Sequence, residues 1–136
     1  MVAYLDSSAA VKLAHREDHS DALAAWLNSQ QNLAMVSSAL VEIELPRALH
    51  RYDSAALPEV PQVLARLVRI EIHATIRTMA GTYQHALLRS LDAIHLATAR
   101  YVSLTIDATP QVFIAYDARL LDLARLEHFE TASPGL

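Results

Sequence analysis

Four short acidic segments recur along the chain, each setting a carboxylate at or beside the end of an apolar strand or helix. They are Asp6 in V-A-Y-L-D-S-S, Glu42 or Glu44 in S-S-A-L-V-E-I-E-L-P-R-A, Asp92 in S-L-D-A-I-H-L-A-T-A and Asp117 in V-F-I-A-Y-D-A-R-L-L. A charge in such a place is costly unless something compensates it. Parallel strands put their carboxyl ends at one edge, where open α/β sheets carry their sites. Carboxylates gathered there repel one another and resist joint ionisation. Hard divalent cations with oxygen ligands relieve that repulsion, so the first chemistry indicated is a Mg2+ or Mn2+ site.

Each acid also has a plainer reading. Asp6 fits a helix N-cap, with Ser7 and Ser8 as further caps for the helix that follows. Asp117 stands beside a helix start, where the dipole favours negative charge. Asp92 lies two residues after Ser90 and fits a first-turn acid. Recurrence at the ends of successive elements is what points past capping. Glu42 and Glu44 are two apart, so a helix sends them about 200° apart and both cannot enter one pocket. Leu40, Glu44 and Ala48 share a face at four-residue spacing, and Arg47 lies within reach of the Glu44 carboxylate. That row favours Glu44 and leaves Glu42 solvated, while spacing alone keeps both open. His95, three residues after Asp92, reads as a hydrogen-bonded core residue rather than a metal ligand. Tyr116 reads as a packing residue.

The elements that must carry these groups follow from periodicity. Residues 2–5 form a strand, followed by a helix over Ala9–Ala14 and another over Asp18–Asn28 with Ala22, Leu23, Trp26 and Leu27 as its stripe. Leu33–Val36 is a strand, and Ser37 or Ser38 caps the helix bearing both glutamates. Pro58 and Pro61 open a short helix ending near Arg66. Leu67–Ile72 alternates, with Val68, Ile70 and Ile72 apolar, which predicts an edge strand. A helix covers 74–88, and Ser90 caps the next, Leu91 to about Val102. Val112–Tyr116 is a strand, Arg119–Leu126 a helix and Phe129–Thr131 a last strand. Alternating strands and helices predict a mainly parallel sheet with helices on both faces.

Bulk properties bound the function. The 136 residues suit one domain, 1–136, with 53% hydrophobic and 19% charged residues and no linker or repeat. The absence of cysteine removes thiolate metal sites, cysteine nucleophiles and disulfides, and fits a reducing compartment. No run is long enough to span a membrane and no basic, apolar leader is present, so a soluble cytoplasmic protein is expected. The only glycines are Gly81 and Gly135, which excludes Gly-rich phosphate loops and dinucleotide turns. Net charge is −4, and two bound divalent cations would bring it near neutrality. All basic residues but Lys12 are arginines, the better phosphate clamps.

The stretches Y-L-D-S-S-A-A-V-K-L, E-L-P-R-A and L-R-S-L-D-A-I-H-L-A-T-A, in this order and chain size, resemble the PIN-domain ribonucleases. Within them the likeness is nearest to the VapC toxins of VapBC toxin–antitoxin systems, and it runs from Val2 to about Ser133. The resemblance implies a three-layer α/β/α PIN-like domain that hydrolyses RNA phosphodiester bonds with Mg2+ or Mn2+. It makes Asp6, Glu44, Asp92 and Asp117 the metal-binding and catalytic acids, and it selects Glu44 independently of helix phase. Lys12, Arg16 or Arg47 would hold substrate phosphates. It also implies a cognate antitoxin protein and a homodimer that assembles with it into a higher hetero-oligomer. The chain departs from the pattern at Ala115, where many relatives carry Thr or Ser two residues before the last acid.

Three other readings compete. A haloacid-dehalogenase-like phosphatase needs a second Asp two residues after its nucleophile, where this chain has Ser8. A phospho-receiver module needs a late lysine, and the only lysine is Lys12. A catalytically weak or inactive PIN-like scaffold is opposed by the four retained acids and slightly favoured by Ala115.

Overall fold

The structure, a computed structural model, describes residues 1–136. Five strands, β1 (Val2–Leu5), β2 (Ala34–Ser38), β3 (Val68–Ile70), β4 (Gln111–Ile114) and β5 (Glu130–Ala132), form one sheet in the order β3-β2-β1-β4-β5. Every pairing is parallel. The helices are α1 (Ser7–Ala14), α2 (Ser20–Ser29), α3 (Val41–Tyr52), α4 (Val60–Ala65), α5 (Ala74–Thr82), α6 (Ser90–Thr105) and α7 (Ala118–Leu126). A 3₁₀ turn, Ser54–Glu59, joins α3 to α4. No helix is long and apolar enough to cross a membrane.

β1 explains the layering. All four of its residues are buried, as expected for a central strand covered on both faces. Side chains alternate across a strand, so Ala3 and Leu5 enter one core with Ala9 and Val11 of α1, Leu23 and Leu27 of α2, and Leu45 and Leu49 of α3. Val2 and Tyr4 enter the other, with Leu96 and Ala99 of α6 and Leu120 and Leu123 of α7. α5 packs on α6. The expected three-layer α/β/α architecture is therefore observed, with a wholly parallel sheet.

Local differences from the sequence reading have local causes. α5 stops at Thr82 rather than running to residue 88, because Thr82 Oγ1 donates to the Met79 carbonyl and Tyr83 turns to extended backbone. The edge strand shrinks to Val68–Ile70, and the buried apolar side chain is Leu67, whereas Val68 is 56% exposed at the uncovered sheet margin. Asp6 itself, not Ser7 or Ser8, is the N-cap of α1. Ser90 is the first residue of α6 rather than its cap, since Arg89 holds that position without a side-chain bond. Ser37 lies within β2 and donates to the Leu5 carbonyl at 2.6 Å, while Ser38 Oγ accepts from the Leu40 amide at 3.0 Å.

Leu49 is fully buried where α3 meets the sheet and α1. Leu49→Ala should cost about 2–5 kcal/mol, the range for a cavity that neighbours only partly refill. Urea unfolding measures this, and a loss below about 1 kcal/mol would mean that α3 is not locked to the core as described.

Candidate active site

The sheet order reverses at β1: β2 and β3 lie on one side, β4 and β5 on the other. Ligand crevices of open α/β sheets form at such a switch point, outside the carboxyl ends of the strands. β1 and β4 end together, with Leu5 opposite Ile114 and the Asp6 amide donating to the Ile114 carbonyl at 3.2 Å. Asp6 thus leaves β1 and Asp117 leaves β4 on the same edge. β2 delivers α3 with Glu44, and α6 brings Asp92 in its first turn. Together they border a cleft of about 770 Å3 whose walls include Ser8, Lys12, Glu44, Asp92, Asp117 and Arg119. Asp6, only 4% exposed, lies behind the wall formed by Ser7 and Ser8.

Each carboxylate is tethered by its own surroundings. Asp6 Oδ1 accepts from Ser8 Oγ at 2.6 Å and from the Ala9 amide at 3.0 Å. Asp117 Oδ1 accepts from the Leu120 amide at 3.1 Å, capping α7. Glu44 Oε1 meets His95 Nε2 at 2.6 Å, and Asp92 Oδ2 faces Arg119 at 3.9 Å. In all four, one oxygen is engaged by the protein and the other is left without a protein partner. Capping and site readings of Asp6 and Asp117 are therefore compatible, since they use different oxygens. So tethered, no three of these acids stand close enough to grip one ion.

Electrostatics register the crowding. Burial pushes the Asp6 carboxyl up to about 6, opposed by His95, Ser8 and the Ala9 amide and reinforced by Glu44. Burial also raises Asp92, with His95 and Arg119 pulling it down and Asp117 and Glu44 pushing it up. Tyr116 rises to about 12, chiefly by burial and then by the Asp6 charge. Its backbone amide donates to Ser8 Oγ at 3.0 Å, so one serine ties the ends of β1 and β4 together.

The glutamates separate as helix phase predicts. The Glu44 side chain is 19% exposed on the cleft, whereas Glu42 is 44% exposed on the far side and faces Arg69 at 3.5 Å. The partner of Glu44 is His95, not Arg47, for which no bond to the acid is found. His95 is buried with both ring nitrogens engaged, the second by Tyr4 Oη at 2.7 Å. Among the cations expected to meet phosphate, only Lys12 lines the cleft, beside Tyr116 and paired with Glu17 at 3.1 Å. Arg16 instead pairs with Asp21 on the surface. Arg51, Arg89 and Arg119 line the cleft, and the sequence reading does not single them out. A signal exists for Arg51, seven residues after Glu44 and so only about 20° out of phase with it. Ala115 is fully buried and supplies no hydroxyl, and its carbonyl accepts from Ser133 Oγ.

The chain and its fold match known proteins. The PIN domain profile matches residues 3–126. Ribonuclease VapC35 of Mycobacterium tuberculosis is 46% identical over 132 residues, spanning 97% of this chain and 96% of that protein. Ribonuclease VapC46 of the same organism is 39% identical over 122 residues, 90% of this chain and 89% of the relative. The chain therefore belongs to the PIN domain family. A solved VapBC2 structure from Rickettsia felis, bound to a promoter DNA fragment, shares the fold at TM-score 0.75 and 14% identity, covering 98% of this chain and 99% of that one.

The raised Asp6 value has a thermodynamic consequence. Its ordinary value is 3.8, so between there and about 6 the folded form binds the proton more tightly than the unfolded chain. Stability contributed by this group is therefore present at low pH and lost as pH rises through that window. Asn keeps an oxygen for Ala9 and Ser8 and caps as well as Asp. In EDTA, Asp6→Asn should exceed the parent by up to about 3 kcal/mol above pH 6, with the gap closing toward pH 4. Denaturation at several pH values tests this, and a pH-independent gap would refute it.

Proposed function

We propose that this chain is an endoribonuclease that hydrolyses RNA phosphodiester bonds with a divalent cation and serves as the toxin of a two-protein toxin–antitoxin pair. The observation that carries the reading is that Glu44, Asp92 and Asp117 line one cleft at the switch point of a PIN-family sheet, with Asp6 buried just behind its wall. Two relatives of nearly the same length, both named ribonucleases, support it.

The donor set fits a hard cation: all four groups are carboxylates, and each keeps one oxygen free of protein partners. The side chains must close inward to share an ion. Asp6, Glu44, Asp92 and Asp117 would hold Mg2+ or Mn2+, which supplies Lewis acidity, lowering the pKa of water and offsetting charge that builds on the phosphate. Lys12, Arg51, Arg89 and Arg119 surround the acids and give the negatively charged RNA its counter-charges. Arg119 lines the cleft and its Nη2 lies 3.9 Å from Asp92 Oδ2, beside the acids. Ser8 is committed to Asp6 and Tyr116, and His95 to Glu44 and Tyr4. Neither is free to act as a nucleophile or general base on RNA.

A second reading rests on one observation: no three acids are at ion-gripping separation, as a non-catalytic PIN-like scaffold would also show. RNA cleavage separates the two. Purified protein should cut a mixed single-stranded RNA in Mg2+ or Mn2+, stop in EDTA and recover on metal excess. Glu44→Gln should lose at least about 100-fold in rate, as expected for an ion ligand, whereas Glu42→Gln should stay within about threefold, its exposed pair being worth little. Equal effects of the two substitutions would overturn the assignment of Glu44, and no cleavage under any metal would favour the scaffold.

The cytoplasmic partner we propose is a small antitoxin, bound by a homodimer of this chain, that sets a basic side chain among the four acids. A VapBC complex among the structural neighbours supports this assembly. Bidentate bonds from such a residue would compete with the cation directly. Co-expression with the adjacent reading frame should yield a co-purifying complex without RNase activity. A complex in which the cleft still takes up Mn2+ would instead indicate inhibition by covering the entrance.

A further inference from the structure

His95 is an unusual residue to find at the centre of an apolar fold. It is 1% exposed, surrounded by the second core, and bonded on both sides, by Tyr4 Oη at 2.7 Å to Nδ1 and by Glu44 Oε1 at 2.6 Å to Nε2. A carboxylate oxygen can only accept, so Nε2 carries the proton that bonds Glu44, while Nδ1 is held by the Tyr4 hydroxyl. Tyr4 is itself fully buried and stacks on Phe113 of β4, with ring centroids 5.3 Å apart at 14°. The far end of the chain of bonds is therefore rigid.

The three members lie on β1, which runs directly into Asp6, on α6, which carries Asp92, and on α3, which carries Glu44 itself. Tyr4 is two residues from Asp6, and His95 is three residues, close to one turn, from Asp92. Glutamate has three rotatable side-chain bonds and loses appreciable rotamer freedom when fixed. Of the four acids, Glu44 is the only glutamate, and no backbone amide holds it, unlike Asp6 and Asp117. Its orientation depends on His95 alone.

We infer that His95, anchored by Tyr4, is a positioning residue that fixes Glu44 through Oε1 and presents Oε2 to a divalent cation in the cleft. The inference rests on the reading of Glu44 as an ion ligand. Partners behind ligating groups commonly contribute 10–100-fold in metal affinity, about what is expected here.

The test is Mn2+ binding to the whole protein, by calorimetry or by electron paramagnetic resonance of free Mn2+, without RNA. His95→Leu should weaken binding about 10–100-fold. His95→Gln, whose amide can still donate to Oε1, should stay within a few fold of the parent. In a Glu44→Gln background, His95→Leu should cause no further loss of Mn2+ binding, whereas its effect on melting temperature should persist. That separation distinguishes positioning from simple core filling. Should His95→Leu fail to fold, Tyr4→Phe carries the test: it retains the ring stack, removes the hydroxyl that holds Nδ1 and should still weaken Mn2+ binding. Parent-like affinity in folded His95→Leu or Tyr4→Phe, or an equal further loss in the Glu44→Gln background, would overturn the inference. If Glu44→Gln itself bound Mn2+ like the parent, the fault would lie in the ligand assignment, and the inference would fall with it.

Discussion

Asp6 is a carboxylate at the end of the most buried strand of the sheet, and much of the surrounding structure is arranged around what that burial demands. An unrelieved charge there would cost several kcal/mol. The first relief is local, from the Ala9 amide and the Ser8 hydroxyl at the start of α1. The second is the opening of the sheet at β1, where the reversal of strand order leaves a crevice instead of another packed element. Even so, the carboxyl stays raised to about 6, so the protein alone does not fully compensate it. Under the proposed function, a cation of the right hardness would supply the remainder.

The same constraint divides the two faces of the cleft. On the acid side, Glu44 and Asp92 each lean on a partly or fully buried cation-capable partner, His95 or Arg119. On the other side, Arg51 is exposed on the cleft wall, and Lys12 lines the cleft while held by Glu17, the Asp18 carbonyl and the Tyr116 ring. A chain of net charge −4 can therefore present positive charge to a polyanion, because the sign of the total says little about the sign at one rim.

What was legible in the residues follows from how local the determining physics is. β1, α6 and the acids at their ends are visible because continuous burial writes an apolar run and the next polar residue marks its end. Glu44 could be separated from Glu42 because helix phase depends only on spacing. The length of α5 was less visible, since it ends through a Thr82 side-chain bond and a backbone turn at Tyr83. Arg47 and Arg16 looked suitable by nearness in sequence, yet Arg16 turned to Asp21, and the cleft took arginines from α3, α7 and the residue preceding α6. Helix phase could have placed Arg51 on the Glu44 side of α3, but Arg89 and Arg119 reach the rim through tertiary placement that no local pattern encodes. His95 was readable as a bonded core residue, but its partners, 91 and 51 residues away, were not.

Asp6 caps α1, Asp117 caps α7, and α6 begins at Ser90 beside the same cleft. Three helices thus begin at the wall of one cleft, each amino-terminal end equivalent to about half a positive charge. This field is part of the backbone and cannot be titrated, mutated away or chelated. It favours carboxylates there, and it would favour a phosphate for the same reason. The metal would then be the adjustable member of a charge balance whose fixed member is the fold's own peptide dipoles.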